Sequence, residues 1–339
     1  MALDEVEAIR ILWEVLERDA TEILGTPDDA SAIRLGNKYL VVNVDVFDEV
    51  TDMLPGMSYY DVGWKALVMA LSDVVAKGAR PRACLVGLGL PSNVTRENLK
   101  ALAKGLRDAS AKYSVSIWGG DTGFSDHFYM SVTALGIAQR VVSRGGAKPG
   151  DLVVTTGRYG LTAVAYKMLL EGYRVPQGLE RIASRALAAT YKPTPELAAW
   201  PEVLRYATAS IDSSDGLALS LHYLAESSNV SIVIRSIPID DDAKKLLKEW
   251  GLDPVKESLY NGGEEFELIA TIPRELLKDA AKAAKSRGSE LIVIGQVEKG
   301  EGVYMEAQGS LTPVEKRGWI HRPVGGPNCE SSNPRRVHG

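Results

Sequence analysis

What this chain lacks narrows its function before any motif is considered. Its 339 residues hold two cysteines, Cys84 and Cys329. They fall in unrelated contexts, which leaves neither a metal-binding spacing nor a disulfide framework. The four histidines, His127, His222, His321 and His338, do not cluster with serine or cysteine as a nucleophile and base would. No apolar run approaches the ~18 residues of a membrane span. The N-terminus has no apolar signal segment followed by a small-residue cleavage site. Lys and Arg number 39 against 44 Asp and Glu, a net charge of −5, so no basic surplus exists to displace counterions from nucleic acid. These gaps predict a soluble, cytoplasmic protein that binds neither membranes nor nucleic acid. Phosphate-binding G-x-x-x-x-G-K-[ST], a complete G-x-G-x-x-G and H-E-x-x-H are missing too, and Asp212 to Gly216 lacks the acidic spacing of an EF-hand.

With 45% hydrophobic and 24% charged residues the chain is globular, and its length favours two domains. Helical and strand-like patterns interleave throughout, which predicts a mixed α/β (α+β) architecture in both halves. The turn Ala147-Lys148-Pro149-Gly150-Asp151 reads as the boundary. The expected domains are therefore 1–146 and 147–324, followed by a loose tail at 325–339 rich in Gly, Pro, Ser and Asn.

Along the first half, Glu5 to Asp19 reads as an amphipathic packing helix. Tyr39 to Phe47 alternates, with Val42, Val44 and Val46 on one face and Asn43, Asp45 and Phe47 on the other. Asp61 to Lys77 is helical, apolar nearly all round, and closed by Gly78 with Pro81 beyond. A helix from Thr95, as N-cap, to Tyr113 precedes a strand, Val115 to Trp118. That strand is expected to end in the glycine turn Gly119-Gly120-Asp121-Thr122-Gly123. In the second half, helices are expected at Leu161 to Glu171, Leu179 to Thr190, Pro195 to Tyr206, Asp240 to Trp250 and Arg274 to Ser286. Strands are expected at Leu152 to Thr156, Ser231 to Ile234, Leu268 to Ile272 and Leu291 to Val297.

Against this background several aspartates stand out. Asp73 lies inside the apolar helix, where an isolated carboxylate costs several kcal/mol or takes up a proton. Lys77 at i+4 would supply only ~0.5 kcal/mol, so a metal ion or another strong partner is favoured. Asp45 shares a strand face with an aromatic, although an edge strand facing water would also explain it. Asp212 and Asp215 flank a strand-to-helix turn in which Ser213, Ser214 or Asp215 could simply cap the helix. Asp29 lies in an acidic turn, and Asp121 follows paired glycines that let backbone amides approach a ligand. Gathered together, Asp29, Asp45, Asp73, Asp121, Asp212 and Asp215 would repel one another unless cations neutralised them. Short carboxylates suit magnesium, which shares its oxygen ligands with substrate phosphates; several magnesium ions holding a polyphosphate satisfy both demands.

The ordered motifs Pro27-Asp28-Asp29-Ala30, Val44-Asp45, Leu71-Ser72-Asp73, Gly119-Gly120-Asp121-Thr122, Ser143 to Asp151, Ile211-Asp212-Ser213-Ser214-Asp215-Gly216, Gly262-Gly263-Glu264-Glu265-Phe266-Glu267 and Arg317-Gly318-Trp319 closely resemble the thiamine-monophosphate kinase family, over about residues 20 to 322. The family sits in the aminoimidazole ribonucleotide synthetase-like superfamily. The resemblance implies a two-domain fold and a homodimer whose N-terminal sheets pair into a barrel. It implies ATP-dependent phosphorylation of thiamine monophosphate with several Mg2+ ions. Asp29, Asp45, Asp73, Asp121, Asp212 and Asp215 would be the metal ligands, of which Asp45, Asp73, Asp121 and Asp212 carry the catalysis. Tyr113, Gly120, Asp121, Arg144 and Ser214 would contact ATP, and Asp52, Glu264 and Trp319 the thiamine phosphate.

The chain departs from the family pattern in three places. Asn43-Val44 stand where Ser/Thr-Thr is frequent, which removes at least one hydroxyl or side-chain metal ligand. Asp52 stands where many members have His, and Gly123-Phe124 where some have Arg. The alternatives are another ATP-dependent enzyme of the superfamily, forming an amidine or a selenophosphate, and a catalytically silent nucleotide-binding scaffold. Selenophosphate synthesis calls for a reactive Cys near the N-terminus, and none is present.

Overall fold

The longest apolar helix begins where Ser58 and Asp61 exchange hydrogen bonds in a reciprocal capping box, and it ends at Gly78, whose φ of +87° suits glycine alone. This helix, α2 (Tyr59–Ala76), is the hub of the N-terminal half. It follows α1 (Glu5–Val15), β1 (Ser31–Leu35) and β2 (Lys38–Asp48), and it precedes β3 (Arg80–Leu90), α3 (Arg96–Tyr113), β4 (Ser116–Phe124) and β5 (Tyr129–Ala138). The second half contains β6 (Leu152–Thr155), α4 (Leu161–Leu169), α5 (Glu180–Tyr191), α6 (Trp200–Val203), β7 (Ala209–Asp212), α7 (Leu217–Ser228), β8 (Ser231–Ile234), α8 (Asp241–Glu249) and α9 (Pro254–Tyr260). It closes with β9 (Leu268–Ile272), α10 (Leu277–Lys285), β10 (Ile292–Glu298), β11 (Gly302–Ala307) and β12 (Ser310–Pro313). The computed structural model describes residues 5–17, 19–25 and 27–319. The expected tail at 325–339 lies outside them.

Two sheets organise the chain: a five-stranded one of order β1-β2-β5-β3-β4, and a seven-stranded one of order β12-β11-β8-β10-β6-β9-β7. The mixed α/β expectation therefore holds in both halves. Helices α2 and α3 cover one face of the first sheet, against which Val41, Phe47, Met130, Val132 and Ala134 are buried. No helix among the described residues covers the opposite face, where Val44, Val46 and Leu85 are exposed. Asn43 and Asp45 point to the helical side. Pairing with β1 stops at Val42, leaving only β5 beside Asp45, but its carboxyl faces the helices and is desolvated there, so it is not the water-facing edge aspartate that its sequence alone allowed.

Four local expectations are corrected. Helix α1 leaves Ile9, Leu12, Trp13, Val15 and Leu16 exposed instead of packing, because an amphipathic stripe records a face to be covered and not what covers it. The Gly119-Gly120 pair continues β4 instead of turning. A register shift in β3 opposite Ile117 and Gly119 leaves Trp118 extra, and a Cβ on Gly120 would lie 1.7 Å from the Val86 carbonyl oxygen. Gly120 therefore serves strand contact, while a Cβ on Gly119 would meet nothing within 4 Å. The segment Pro195 to Tyr206 breaks into a 3-10 turn (Leu197–Ala199) and the short α6, because Pro201 contributes no amide to a continuous ladder. Helix α7 takes Gly216 as its N-cap with no side-chain cap bond, so neither serine nor Asp215 caps it. Helix α9 and strand β12 were not foreseen. Among the described residues no helix is long and apolar enough to cross a membrane.

Helices α2 and α3 cross at two glycines. A Cβ on Gly63 would stand 2.3 Å from the Leu102 oxygen, and one on Gly105 would stand 2.0 Å from the Tyr60 oxygen. Alanine gains ~1 kcal/mol in helix propensity, but overpacking a tight contact typically costs ~1–3 kcal/mol, and here the clash is with backbone. Gly105→Ala is expected to lower stability by about 1–2 kcal/mol on that balance, read as a lower denaturation midpoint in urea; a gain in stability would refute the close-crossing account.

Candidate active site

Three elements bring acids to one place between the two sheets. Asp29 precedes β1, Asp73 sits on α2, and Asp212 ends β7; one carboxylate oxygen of each lies within 4.8 Å of the other two. The Ser72 hydroxyl donates to Asp212 Oδ2 at 2.6 Å, which joins α2 of the first half to β7 of the second. The Asn43 amide donates to Asp73 and, at 3.3 Å, to the Asp29 carbonyl oxygen. Asn43 is 7% exposed, and its Oδ1 has no hydrogen-bond partner.

The pocket's cations all stand on one side. Lys77 Nζ lies 2.7 Å from Asp28 Oδ1 and 2.6 Å from Asp29 Oδ2, and it donates to the Ser210 carbonyl oxygen at 2.8 Å. Arg144 forks onto Asp29, with Nε 2.7 Å from Oδ1, and stacks 5.3 Å from the centre of the Tyr223 ring. Its backbone amide donates to Asp28 Oδ2 at 3.0 Å. Burial alone would raise Asp29, but Arg144 and Lys77 overcome it and hold this carboxyl below its usual range. Asp28, beside the same lysine, is pushed up by burial. Lys77 thus serves the Asp28-Asp29 turn and not Asp73.

For the remaining acids burial outweighs such relief. Burial, then the charges of Asp212, Asp45 and Asp29, drive Asp73 well above its usual range. Asp45 is pushed up to about 7, first by burial and then by Asp52, Asp212 and Glu264. Asp212 is raised to about 6 by burial and Asp29. Asp215 is raised to about 8 by burial, Glu5 and Asp212. An all-oxygen set of mutually repelling carboxylates with one orphaned amide oxygen is the donor chemistry that a hard divalent cation accepts.

The other expected residues are placed as follows. Ser214 Oγ donates to Asp212 Oδ1 at 3.4 Å. The loop after α9 zips against the same turn: Glu264 N donates to the Ser214 oxygen at 2.7 Å, and Ser213 N to the Glu267 oxygen at 2.9 Å. Glu264 adopts a φ of +61°, and its carboxylate meets Lys65 Nζ at 2.7 Å and the Tyr166 hydroxyl. Trp319 N donates to the Asp215 oxygen at 3.0 Å. Asp52 is buried and accepts from Asp48 N at 2.8 Å. Gly120 and Asp121 lie apart from this group, on the exposed edge strand β4. Tyr113 donates to the Pro195 oxygen at 3.3 Å and lines a separate cavity of about 1170 Å³ that none of the clustered aspartates borders. The residues that sequence reasoning missed are Asp28, Lys65, Ser72 and Tyr166. Lys65 carried a usable signal, since a lysine in a helix apolar all round is as anomalous as Asp73.

The sheets and the buried acid pocket define the class first. Residues 27–138 match the family described as AIR synthase related protein, N-terminal domain. Thiamine-monophosphate kinase of Pyrococcus abyssi is 34% identical over 323 residues, covering 95% of this chain and 96% of that one. The enzyme of Nitrosopumilus maritimus is 31% identical over 319 residues, 94% and 98% of the two chains. A solved structure described as AaThiL complexed with AMPPCP and TMP superposes with a TM-score of 0.81 at 28% identity, covering 95% of this chain and 99% of that chain. The chain belongs to the thiamine-monophosphate kinase family. Hydrogenase maturation protein HypE shares the fold at 21% identity and a TM-score of 0.63, over 88% of this chain and 94% of that one.

Raised carboxylates have a signed consequence. Between the unfolded value of about 3.9 and the folded values of about 6, 7 and 8 for Asp212, Asp45 and Asp215, the folded chain binds more protons than the unfolded one. Its stability therefore falls as pH rises, by up to about 1.4 kcal/mol per pH unit for each group. Metal-free protein is expected to melt several degrees lower at pH 8 than at pH 5.5, with magnesium restoring most of the loss at pH 8 and little at pH 5.5. A metal-free melting temperature that climbs over this window would contradict the assignment.

Proposed function

We propose that the chain phosphorylates thiamine monophosphate to thiamine diphosphate at the expense of ATP, with magnesium bound by the aspartate pocket. The observation that carries this reading is the convergence of Asp29, Asp73 and Asp212 within 4.8 Å, with Asp73 and Asp212 pushed up by burial and by the neighbouring carboxylates. A terminal phosphate oxygen of the acceptor attacks the γ-phosphorus in line, the bond to the β–γ bridging oxygen breaks, and ADP leaves with that electron pair. The acceptor's second pKa is ~6, so the nucleophilic oxygen is already deprotonated at neutral pH. No general base is required, in keeping with a pocket that among the described residues is built on carboxylates.

Asp29, Asp45, Asp73, Asp212 and Asp215 would hold magnesium, with Asp121, which stands apart on β4, as the remaining proposed ligand; the bound ions would neutralise phosphate charge. Arg144, already poised on Asp29, would pair with a nucleotide phosphate beside Ser214, Gly120 and Asp121, with Tyr113 toward the base. Glu264, Asp52 and Trp319 would receive the acceptor, an aromatic ring suiting the cationic thiazolium. In this reading 1–146 is the nucleotide, metal and dimerisation domain, 147–324 completes the pocket, and the enzyme works in the cytoplasm.

Asp73→Asn and Asp212→Asn are each expected to lower turnover by at least ~1000-fold, in line with the loss of charge stabilisation at a transferring phosphoryl group, while the fold persists. The assay is magnesium-dependent ADP release that rises only when thiamine monophosphate is supplied. Near-normal activity in either variant would sink the metal assignment, and acceptor-independent ADP release would sink the kinase reading.

The uncovered face of the five-stranded sheet, with Val44, Val46 and Leu85 exposed, supports a second copy as its cover. Light scattering is expected to find a dimer, and Val44→Lys with Val46→Lys a monomer. A monomeric parent protein would remove this part of the proposal.

A further inference from the structure

Lys65 is the one fully buried cation of α2 that faces the second half of the chain through a side chain outside the aspartate group. It lies eight residues before Asp73, and its Nζ is 2.7 Å from Glu264 Oε1. The Tyr166 hydroxyl, from α4, donates to Glu264 Oε2. Each oxygen of this carboxylate is thus engaged by a different element, and a carboxylate offers about four acceptor sites, so a ligand contact is compatible with both. The backbone is fixed as firmly. Glu264 sits at φ +61°, a conformation that a side-chain-bearing residue keeps only where its surroundings impose it. Glu264 N is held by the Ser214 oxygen at 2.7 Å, Gly263 N by Thr162 Oγ1 at 3.3 Å, and Glu265 Oε1 by the Thr162 hydroxyl at 2.5 Å. Ser214, which accepts from Glu264 N, donates its hydroxyl to Asp212 Oδ1 at 3.4 Å, so the clamped residue stands beside the aspartate pocket.

We infer that Lys65 and Tyr166 are positioning residues for the acceptor: they hold Glu264 where it receives thiamine monophosphate, and they link that contact through α2 to the phosphate-handling aspartates. This rests on the proposed role of Glu264. A helix that carries Ser72 and Asp73 at one end of its buried face and Lys65 toward the other fixes the acceptor subsite relative to the metal subsite in one rigid body. Phosphoryl transfer, being mostly alignment, demands that arrangement.

The test is initial-rate kinetics of the whole enzyme, with thiamine monophosphate varied at saturating MgATP and the reverse, alongside thermal melting. Lys65→Met is expected to raise the acceptor KM by about tenfold or more and Tyr166→Phe by about threefold, with the ATP KM within about twofold of the parent. Lys65→Arg should recover most of the loss, since it keeps the ion pair. A folded Lys65→Met with an unchanged acceptor KM, where Glu264→Gln raises it, would overturn the positioning role alone. An unchanged acceptor KM in Glu264→Gln would remove the acceptor contact itself and this inference with it. Parallel rises in both KM values with a lowered melting temperature would mean a structural role only. Because Lys65→Met strands a buried carboxylate and can fail to fold, Lys65→Met/Glu264→Gln removes both charges. Its acceptor KM should be no worse than that of Glu264→Gln, whereas additive losses would refute the coupling.

Discussion

The structure depends on burying charge inside one apolar helix. Along α2 the polar residues Lys65, Ser72, Asp73 and Lys77 sit among valine, leucine and alanine, and Lys65, Ser72 and Lys77 are fully buried. Taking an ammonium out of water costs several kcal/mol unless a partner repays it. Each of these three finds a partner in the second half: Lys65 in Glu264, Ser72 in Asp212, Lys77 in the Ser210 carbonyl oxygen. Lys65 and Lys77 are separated by about 18 Å of helix, so the two halves are pinned at two points with the aspartates between them. Breaking the Lys65–Glu264 pin would strip a buried charge of its ion-pair partner, a far greater penalty than the small net gain from making it, whereas Lys77 would keep Asp28 and Asp29.

The acids themselves work the other way. Lys77 and Arg144 satisfy Asp28 and Asp29, while Asp45, Asp73, Asp212 and Asp215 are left pressing one another upward in pKa. A core selected for stability would not keep four such groups. The imbalance makes sense if the missing charge arrives with the ligand, so that the metal-free chain stores repulsion which cation binding releases. Asn43 fits this picture. It places one amide between Asp29 and Asp73, its NH2 group donating to both residues while its oxygen has no hydrogen-bond partner.

Much of this was legible in the sequence because it broke local rules. Asp73 was visible as a carboxylate where helical periodicity left no wet face, and the strand and helix elements were largely recovered because their apolar periods are long. Less legible was everything set by pairing across the chain. Helical spacing offered Lys77 to Asp73 only as a partner too weak to carry it, and the fold gives this lysine to Asp28 and Asp29, which are remote in sequence. The paired glycines were read as room for a ligand, but the register of β3 against β4 shows that the group close to Gly120 is the Val86 backbone, while nothing crowds Gly119. Helix α1 displayed an apolar stripe whose cover no local signal could identify.

The turn between β7 and α7 shows why such misreadings fall at the site. Ser213, Ser214 and Asp215 have the propensities of helix caps, yet Gly216 begins the helix and none of the three satisfies its amides. Their backbone is spent elsewhere: Ser213 and Ser214 are zipped to the loop of Glu264 and Glu267, and the Asp215 oxygen accepts from Trp319. Leaving the cap position to glycine costs a helix only a few tenths of a kcal/mol relative to serine or aspartate, which is little beside the several kcal/mol at stake in a buried carboxylate. The fold therefore gives up a small local preference so that Asp212 and Asp215 remain in the pocket, at the positive end of the α7 dipole. Local propensity loses here because the larger electrostatic term is tertiary, and the place where it loses is the turn that carries Asp212 into the cluster of buried acids.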